Sequence, residues 1–192
     1  MMETDDRDLV RRTRAGDTKA YGELVRRYQN QIFNAAFRLV NDYDDATDIA
    51  QNAFVKVYES LDGFDDSRKF FSWLYRVTIN EALNFVERKR RRTTIDEDLP
   101  SPDPGPDDLL AYAEGSEWVS RSLMRLSLDS RIVVVMHYFA DFNLAEIGEL
   151  LEIPARTVKS RLHTARERLR GMLSQERVRE ASHDKTAGRT SA

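Results

Sequence analysis

The stretch DLPSPDPGPDD, at residues 98–108, limits the fold of this chain more than any other segment, because it holds four of the five prolines. A proline removes a helical hydrogen bond and favours extended backbone at the residue before it. The four prolines alternate with other residues, so no helix can continue through the stretch. We therefore predict an acidic, proline-rich linker at residues 94–112 of this 192-residue chain, with a domain on each side.

Two small helical domains are predicted to flank this linker. Apolar residues make up 41% of the chain and recur at helical spacing, with no alternating strand pattern. The apolar run at 132–135 is compatible with a strand by itself, but its length and polar flanks favour a helix. The predicted fold class is all-α. A bundle of three long helices after a short leader occupies residues 5–93, a helix-turn-helix domain occupies 113–175, and a tail without fixed structure occupies 176–192.

Several function classes find no support in the sequence. The chain has no cysteine and only three scattered histidines, so we predict no metal site. Glycine-rich phosphate loops and the common hydrolase and protease motifs are also missing, and we predict neither a cofactor nor an enzymatic activity. No apolar run approaches the ~20 residues that span a bilayer, and the N-terminus does not resemble a signal peptide. We therefore expect a cytoplasmic protein without direct membrane insertion.

The segment FFSWLYRVTINEALNFVERKRRR, at residues 70–92, combines aromatic side chains with five consecutive cations. At helical spacing Trp73, Arg76 and Asn80 share one face of the predicted helix. Stacking rings beside cations are the means by which proteins hold single-stranded nucleic acid. Each ring taken alone, Trp73 or Tyr75, is equally compatible with core packing, and the cations could simply be a solvated helix end. The net charge of −3 hides this basic block.

The segment NLAEIGELLEIPARTVKSRLHTARERLR, at residues 143–170, has the pattern of a helix-turn-helix. A short helix is ended by Glu152 and Pro154, and a longer basic helix follows. Its apolar stripe is predicted to face the domain, which leaves a polar and basic face for a DNA major groove. The alternative is a basic surface helix in an ordinary bundle. A further candidate surface, for a partner protein, is the second helix around Asp48, Gln51 and Phe54.

Both domains resemble the bacterial RNA polymerase sigma factors of the small two-domain, extracytoplasmic-function (ECF) type. Three segments resemble sigma domain 2 in order, namely AYGELVRRYQNQIFNAAFRLV, DDATDIAQNAFVKVYESLDGF and the aromatic-basic segment. RLSLDSRIVVVMHYFADFNLAEIGELLEIPARTVKSRLHTARERLR resembles sigma domain 4. The resemblance covers most of the chain and implies a protein that binds core RNA polymerase, directs it to promoter DNA and promotes promoter melting. It makes the acidic linker a segment that would thread the RNA channel of the polymerase.

The resemblance also implies roles for particular residues. The −10 element would be bound as a single strand by Phe64, Trp73, Arg76, Asn80, Arg88, Arg90 and Arg91. The −35 element would be bound by Arg156, Thr157, Lys159, Ser160, Arg161, His163 and Thr164. The β′ coiled coil of the polymerase would be bound by Asp48, Gln51 and Phe54, and domain 4 would bind the β flap. An anti-sigma factor is a further candidate partner.

Some residues depart from the family pattern and leave the base preferences of the recognition helix open. Arg156 and Glu152 lie where glycine is common in the family, and Thr164 replaces a frequent basic residue. Two other functions compete with the sigma-factor hypothesis. One is a stand-alone helix-turn-helix regulator, but a protein that binds only duplex DNA would not need the aromatic-basic helix. The other is a helical adaptor that binds only protein.

Overall fold

The computed structural model describes residues 5–93 and 116–187, with side chains described through Arg91 and from 118 to 174. Within these ranges the chain is helical and has no strand, so the all-α prediction is confirmed. The helices are α1 (Asp6–Arg14), α2 (Thr18–Val40), α3 (Tyr43–Glu59), α4 (Phe70–Thr93), α5 (Ser116–Met124), α6 (Leu128–Phe139), α7 (Leu144–Leu150) and α8 (Ala155–Ala187), and a 3-10 turn (Leu61–Gly63) precedes α4. The predicted linker at 94–112 lies outside the described residues.

Polar side chains cap the first turns of α2, α3 and α7. The Asp17 carboxylate accepts a 3.0 Å hydrogen bond from the Lys19 amide at the start of α2, and Arg12 donates to the same carboxylate and holds the pKa of Asp17 below its usual range. Asp42 caps α3. Asn143 forms a capping box with Glu146 at the start of α7. Each cap satisfies amide groups that have no partner within the helix.

Helix α1 was not predicted, because the sequence indicates only a short leader there. Its nine residues are mostly charged, and only Leu9 and Val10 form an apolar contact surface. Both side chains are nonetheless fully buried against the bundle. Asp6 fixes the outer edge of α1 by accepting hydrogen bonds from Arg27 and Tyr28 on α2. Tertiary packing therefore stabilises a helix that is too short and too polar to form alone.

The first domain packs α2, α3 and α4 around a shared apolar core. Leu24, Ile49 and Leu74 supply one fully buried side chain from each of the three helices. The two rings whose role the sequence left open differ in burial, since Tyr75 is 2% exposed and belongs to the core, while Trp73 is only half-buried. The α4 helix is thereby anchored by one face, and the other face remains available at the surface.

The second domain places its helix-turn-helix in α7 and α8, with the run at 132–135 inside helix α6 as predicted. A Cβ on Gly148 would lie 2.8 Å from the carbonyl oxygen of Ile153, so glycine allows α7 to approach the turn closely. Glu152 adopts a φ of 55°, the left-handed conformation in which glycine is more usual. Val158 and Leu162 then pack α8 against the domain. The backbone of α8 continues to Ala187, so most of the predicted tail is helical.

The two domains pack against each other in this structure, with α2 against α5 and α6 and with α4 against α7. The Arg131 guanidinium of α6 donates to the Leu39 carbonyl at the end of α2 and, at 3.0 Å, to the Leu123 carbonyl near the end of α5. A cation is favourable there because the C-terminal ends of helices carry partial negative charge. Phe142 stacks on Phe71 of α4, with ring centroids 5.9 Å apart.

Candidate nucleic-acid and polymerase interfaces

An aromatic pair stands at the start of the aromatic-basic helix. The ring of Phe64, in the loop before α4, stacks on Trp73 with centroids 4.8 Å apart and planes 28° from parallel. Phe64 is 7% exposed and therefore serves mainly to support the indole. Asn80 lies exposed two helical turns after Trp73 on the same side of α4, with half-buried Arg76 between them. The structure thus brings together four of the residues predicted for the −10 element.

The basic end of α4 is exposed. Arg88, Arg90 and Arg91 all have exposed side chains. Lys89 points towards α3 instead, where its ammonium lies 2.7 Å from the Asp45 carboxylate. The cations therefore extend the surface that begins at Trp73 along the length of α4. This arrangement suits a polyanion that lies along the helix.

The exposed face of α8 carries five of the seven residues predicted to contact the −35 element, namely Arg156, Lys159, Ser160, His163 and Thr164. The remaining two are placed differently. Thr157 is half-buried, and Arg161 turns towards α6, where its guanidinium lies 2.6 Å from the Asp129 carboxylate. Because Arg161 is engaged within the domain, the available face of α8 is narrower than the sequence indicates.

The outer face of α3 is mostly polar. It also exposes Val55, which the sequence analysis did not identify. Asp48 and Gln51 are exposed on this face, but Phe54 is only 9% exposed and packs with the core. Val55, four residues after Gln51, is 54% exposed, and Tyr58 is 47% exposed. An apolar side chain surrounded by polar ones is typical of a protein-binding surface. Helical spacing from Gln51 could have identified Val55.

Acidic residues of the helix-turn-helix contact cations of the first domain. Glu152 forms an ion pair with Arg76, and Glu149 lies 3.5 Å from Arg68. Both pairs are partly exposed and therefore contribute little to stability individually. Their position is informative nevertheless, because Arg76 belongs to the predicted −10 surface. In this arrangement the Glu152 carboxylate of the second domain pairs with a cation of that predicted surface.

Two further searches cover the residues that the structure describes. No group of three or more histidine, cysteine, aspartate or glutamate side chains among them could hold a metal ion. No helix in the described part of the chain is long and apolar enough to cross a membrane.

A bundle with an aromatic-basic helix, followed by a helix-turn-helix with a basic exposed face, defines a DNA-binding protein of transcription. The chain matches the family models for Sigma-70 region 2 at residues 24–92 and for Sigma-70, region 4 at residues 116–169. It is 32% identical over 184 residues to the ECF RNA polymerase sigma factor SigW of Bacillus subtilis, and the alignment covers 90% of this chain and 98% of that relative. The chain belongs to the ECF sigma factors of the sigma-70 family.

Solved structures agree with this assignment. The structure of CnrH in complex with the cytosolic domain of CnrY matches with a TM-score of 0.67 and 25% identity, over 88% of this chain and 97% of CnrH. The sigma factor RpoE of Bartonella quintana, solved with the anti-sigma factor NepR, shares the fold with a TM-score of 0.68 and 20% identity, over 81% of this chain and 98% of that one. The protein is thus a sigma factor that binds core RNA polymerase and directs it to promoters. Sigma factors are not enzymes.

Proposed function

We propose that the two domains of this sigma factor contact two parts of the promoter in different forms. The surface of Trp73, Arg76 and Asn80 holds the −10 element as a single strand, and the exposed face of α8 holds the −35 element as duplex. The observation that carries this proposal is the stacked Phe64–Trp73 pair beside exposed Asn80 on one face of α4. The protein is proposed to act in the cytoplasm, where promoter DNA and polymerase are found.

The chemistry of the α4 surface suits unpaired bases. An indole supported from behind by Phe64 offers a rigid face for stacking, which contributes about 1–3 kcal/mol per base. An exposed amide such as Asn80 both donates and accepts, so it can bind the edge of a base that has lost its pairing partner. Arg88, Arg90 and Arg91 then neutralise the phosphates of the same strand or of the duplex upstream.

The proposal requires the two domains to separate on the promoter. The −10 and −35 elements lie about 25 base pairs apart, which is roughly 85 Å of B-DNA at ~3.4 Å per base pair. Glu152 of the helix-turn-helix contacts Arg76 in this structure, so the two surfaces lie side by side rather than far apart. The predicted linker reaches about 60 Å when extended, so the extents of the two domains must supply the rest of that distance.

Core RNA polymerase and an anti-sigma factor are the two proposed protein partners. The outer face of α3 is proposed to bind the β′ coiled coil of the polymerase, and the second domain to bind the β flap. An anti-sigma factor is proposed as an inhibitor, because the structurally similar CnrH and Bartonella RpoE were solved with CnrY and with NepR. An anti-sigma candidate is excluded if deleting it leaves transcription of the target promoters unchanged.

Changing Val55 to aspartate is expected to weaken binding to core RNA polymerase by roughly tenfold, because it replaces an exposed apolar side chain of the α3 face with a charge. Val55 is 54% exposed, so the fold should be retained. Titration of labelled protein with core enzyme measures the affinity, and circular dichroism checks the helix content.

The matched control is Asn30→Asp, which places the same charge at an exposed position of α2, outside every proposed contact. We expect the control to bind core enzyme as the wild type does. If both variants bind with wild-type affinity, the α3 face is not the polymerase contact.

Changing Lys159 to alanine is expected to reduce the salt dependence of −35 binding. Each phosphate contact adds about 0.9 to the slope of log affinity against log salt concentration. The variant should therefore lower the slope by about one unit if Lys159 contacts a phosphate. It should instead change the preferred −35 sequence if the ammonium contacts a base. The measurement is binding of the holoenzyme to promoter DNA between low and moderate salt, with Lys19→Ala as a control on α2.

A further inference from the structure

The loop that presents Phe64 is held from behind by a residue of α1. The Arg14 side chain donates to the Leu61 carbonyl at 3.0 and 2.9 Å and also to the Phe64 carbonyl. Its other terminal nitrogen lies 3.0 and 2.9 Å from the two carboxylate oxygens of Asp66. One guanidinium thus binds three points of the segment that connects α3 to α4, at Leu61, Phe64 and Asp66.

This contact pattern depends on the shape of the guanidinium. Arginine has five N–H donors in a rigid plane, so it can bind two carbonyl groups on one edge and a carboxylate on another. The Arg14 side chain is 23% exposed, whereas Asp66 is 62% exposed. The hydrogen bonds to the two carbonyls are therefore better shielded from water than the ion pair with Asp66, which lies on the solvent side of the guanidinium.

The loop is also restrained by burial of Leu61 and Phe64, which are 3% and 7% exposed, and by edge-on packing of the Phe64 ring on Phe70. The Phe64 amide donates to the Leu61 carbonyl at 3.1 Å, and the Asp65 carboxylate accepts from the Ser67 amide at 2.9 Å. These bonds and the two buried side chains hold the loop on the bundle. Arg14 adds a polar link between the Leu61 and Phe64 carbonyls and α1, which is itself anchored by buried Leu9 and Val10. In this position the Phe64 ring stacks on Trp73.

We propose that Arg14 is a positioning residue for recognition of the −10 element. It contacts no base itself. It fixes the loop that seats Phe64 behind Trp73, and thereby sets the width of the space in which an unpaired base is held next to Asn80. This inference rests on the proposed function of the α4 surface and goes beyond it, because it assigns a specificity role to a helix outside the surface.

The test uses the full chain assembled with bacterial core RNA polymerase. The template is a promoter library randomised over the −10 and −35 elements, in which each promoter carries its own barcode in the transcribed region. Counting the barcodes among the transcripts gives the base preference at every promoter position. Arg14→Gln is expected to reduce the preference at one −10 position by roughly tenfold, the usual value of one lost specific contact. Preferences across the −35 element should stay within about twofold of wild type, because α8 is untouched.

Three variants separate positioning from a general effect on stability. Arg12→Gln is the matched control, since Arg12 lies on the same helix but pairs with Asp17; it should leave the −10 preferences unchanged. Arg14→Lys keeps the charge but lacks the planar guanidinium fork that reaches acceptors on two edges, and it should lose the −10 preference as Arg14→Gln does. Asp66→Ala removes only the outer contact and should cause a smaller loss; it also serves if Arg14→Gln does not fold.

The results that would overturn the inference are equally specific. Arg14 is not a positioning residue if Arg14→Gln lowers transcription from all sequences by one common factor, or if Arg14→Lys keeps the full −10 preference. Asn80→Ala is measured beside these variants. If Asn80→Ala loses −10 preference while Arg14→Gln keeps it, only the inference about Arg14 fails. If Asn80→Ala has no effect on −10 preference, the proposed function fails as well.

Discussion

Asn80→Ala is expected to lower initiation from the protein's own promoters by roughly 10- to 100-fold, corresponding to about 1–3 kcal/mol for one lost base contact. Asn80 is exposed on α4, so its removal leaves no cavity and no buried polar group without a partner. The loss should appear in run-off transcription. The thymines of the −10 element should also be less reactive to a probe of unpaired bases, because the variant fails to hold the separated strand.

The control for this variant is Asn30→Ala, which removes an exposed amide from α2 instead of α4. Binding to core polymerase should be the same for wild type, variant and control. Affinity for a template that already carries an unpaired −10 bubble should fall for Asn80→Ala, since the contact is made to the open strand. Equal transcription from Asn80→Ala and Asn30→Ala would mean that the amide does not bind DNA.

Arg131→Met is expected to destabilise the second domain by about 3 kcal/mol, the largest effect on stability that we predict. Arg131 is 7% exposed, and burial lowers the pKa of its guanidinium, which remains charged. Its donors bind the carbonyls of Leu39, Leu123, Met124 and Leu126. Methionine fills similar space but leaves these carbonyls without their donor, and it removes the cation from two helix ends.

The two tryptophans make this prediction measurable, because Trp73 lies in the first domain and Trp118 in the second. In a Trp73→Phe background the fluorescence of Trp118 reports on the second domain during urea unfolding. The midpoint should shift to markedly lower urea for Arg131→Met and stay unchanged for Arg125→Met, whose side chain is exposed. A loss of less than about 1 kcal/mol in the free energy of unfolding would show that water or neighbouring groups replace the guanidinium.

Much of the fold could be predicted from the sequence because the responsible signals are local. The caps at Asp17 and Asn143 and the helical spacing of Val158 and Leu162 depend only on neighbours in the chain. Helix α1 could not be predicted in this way. Its stability comes from two buried side chains and from contacts of Asp6 with a helix further along the chain.

The candidate surfaces likewise contain some residues that the sequence indicates and others that only the tertiary structure shows. Resemblance to the family indicated Asn80 and Lys159, and the structure places both at the surface of the expected helices. The roles of Arg14 and Arg131 depend on bonds to residues 47 and 92 positions away, which no spacing rule connects. Similarly, only the packing around α3 shows that Val55 rather than Phe54 is exposed.

The most direct test of the two-surface account is site-specific cross-linking in the assembled promoter complex. A photo-reactive amino acid is placed at Trp73 in one sample and at Lys159 in another, each bound to core polymerase on a mapped promoter. The account predicts that position 73 cross-links to one strand of the −10 element and only after melting, while position 159 cross-links to the −35 duplex. Cross-linking of both positions to the same element, or of position 73 to closed duplex alone, would contradict it.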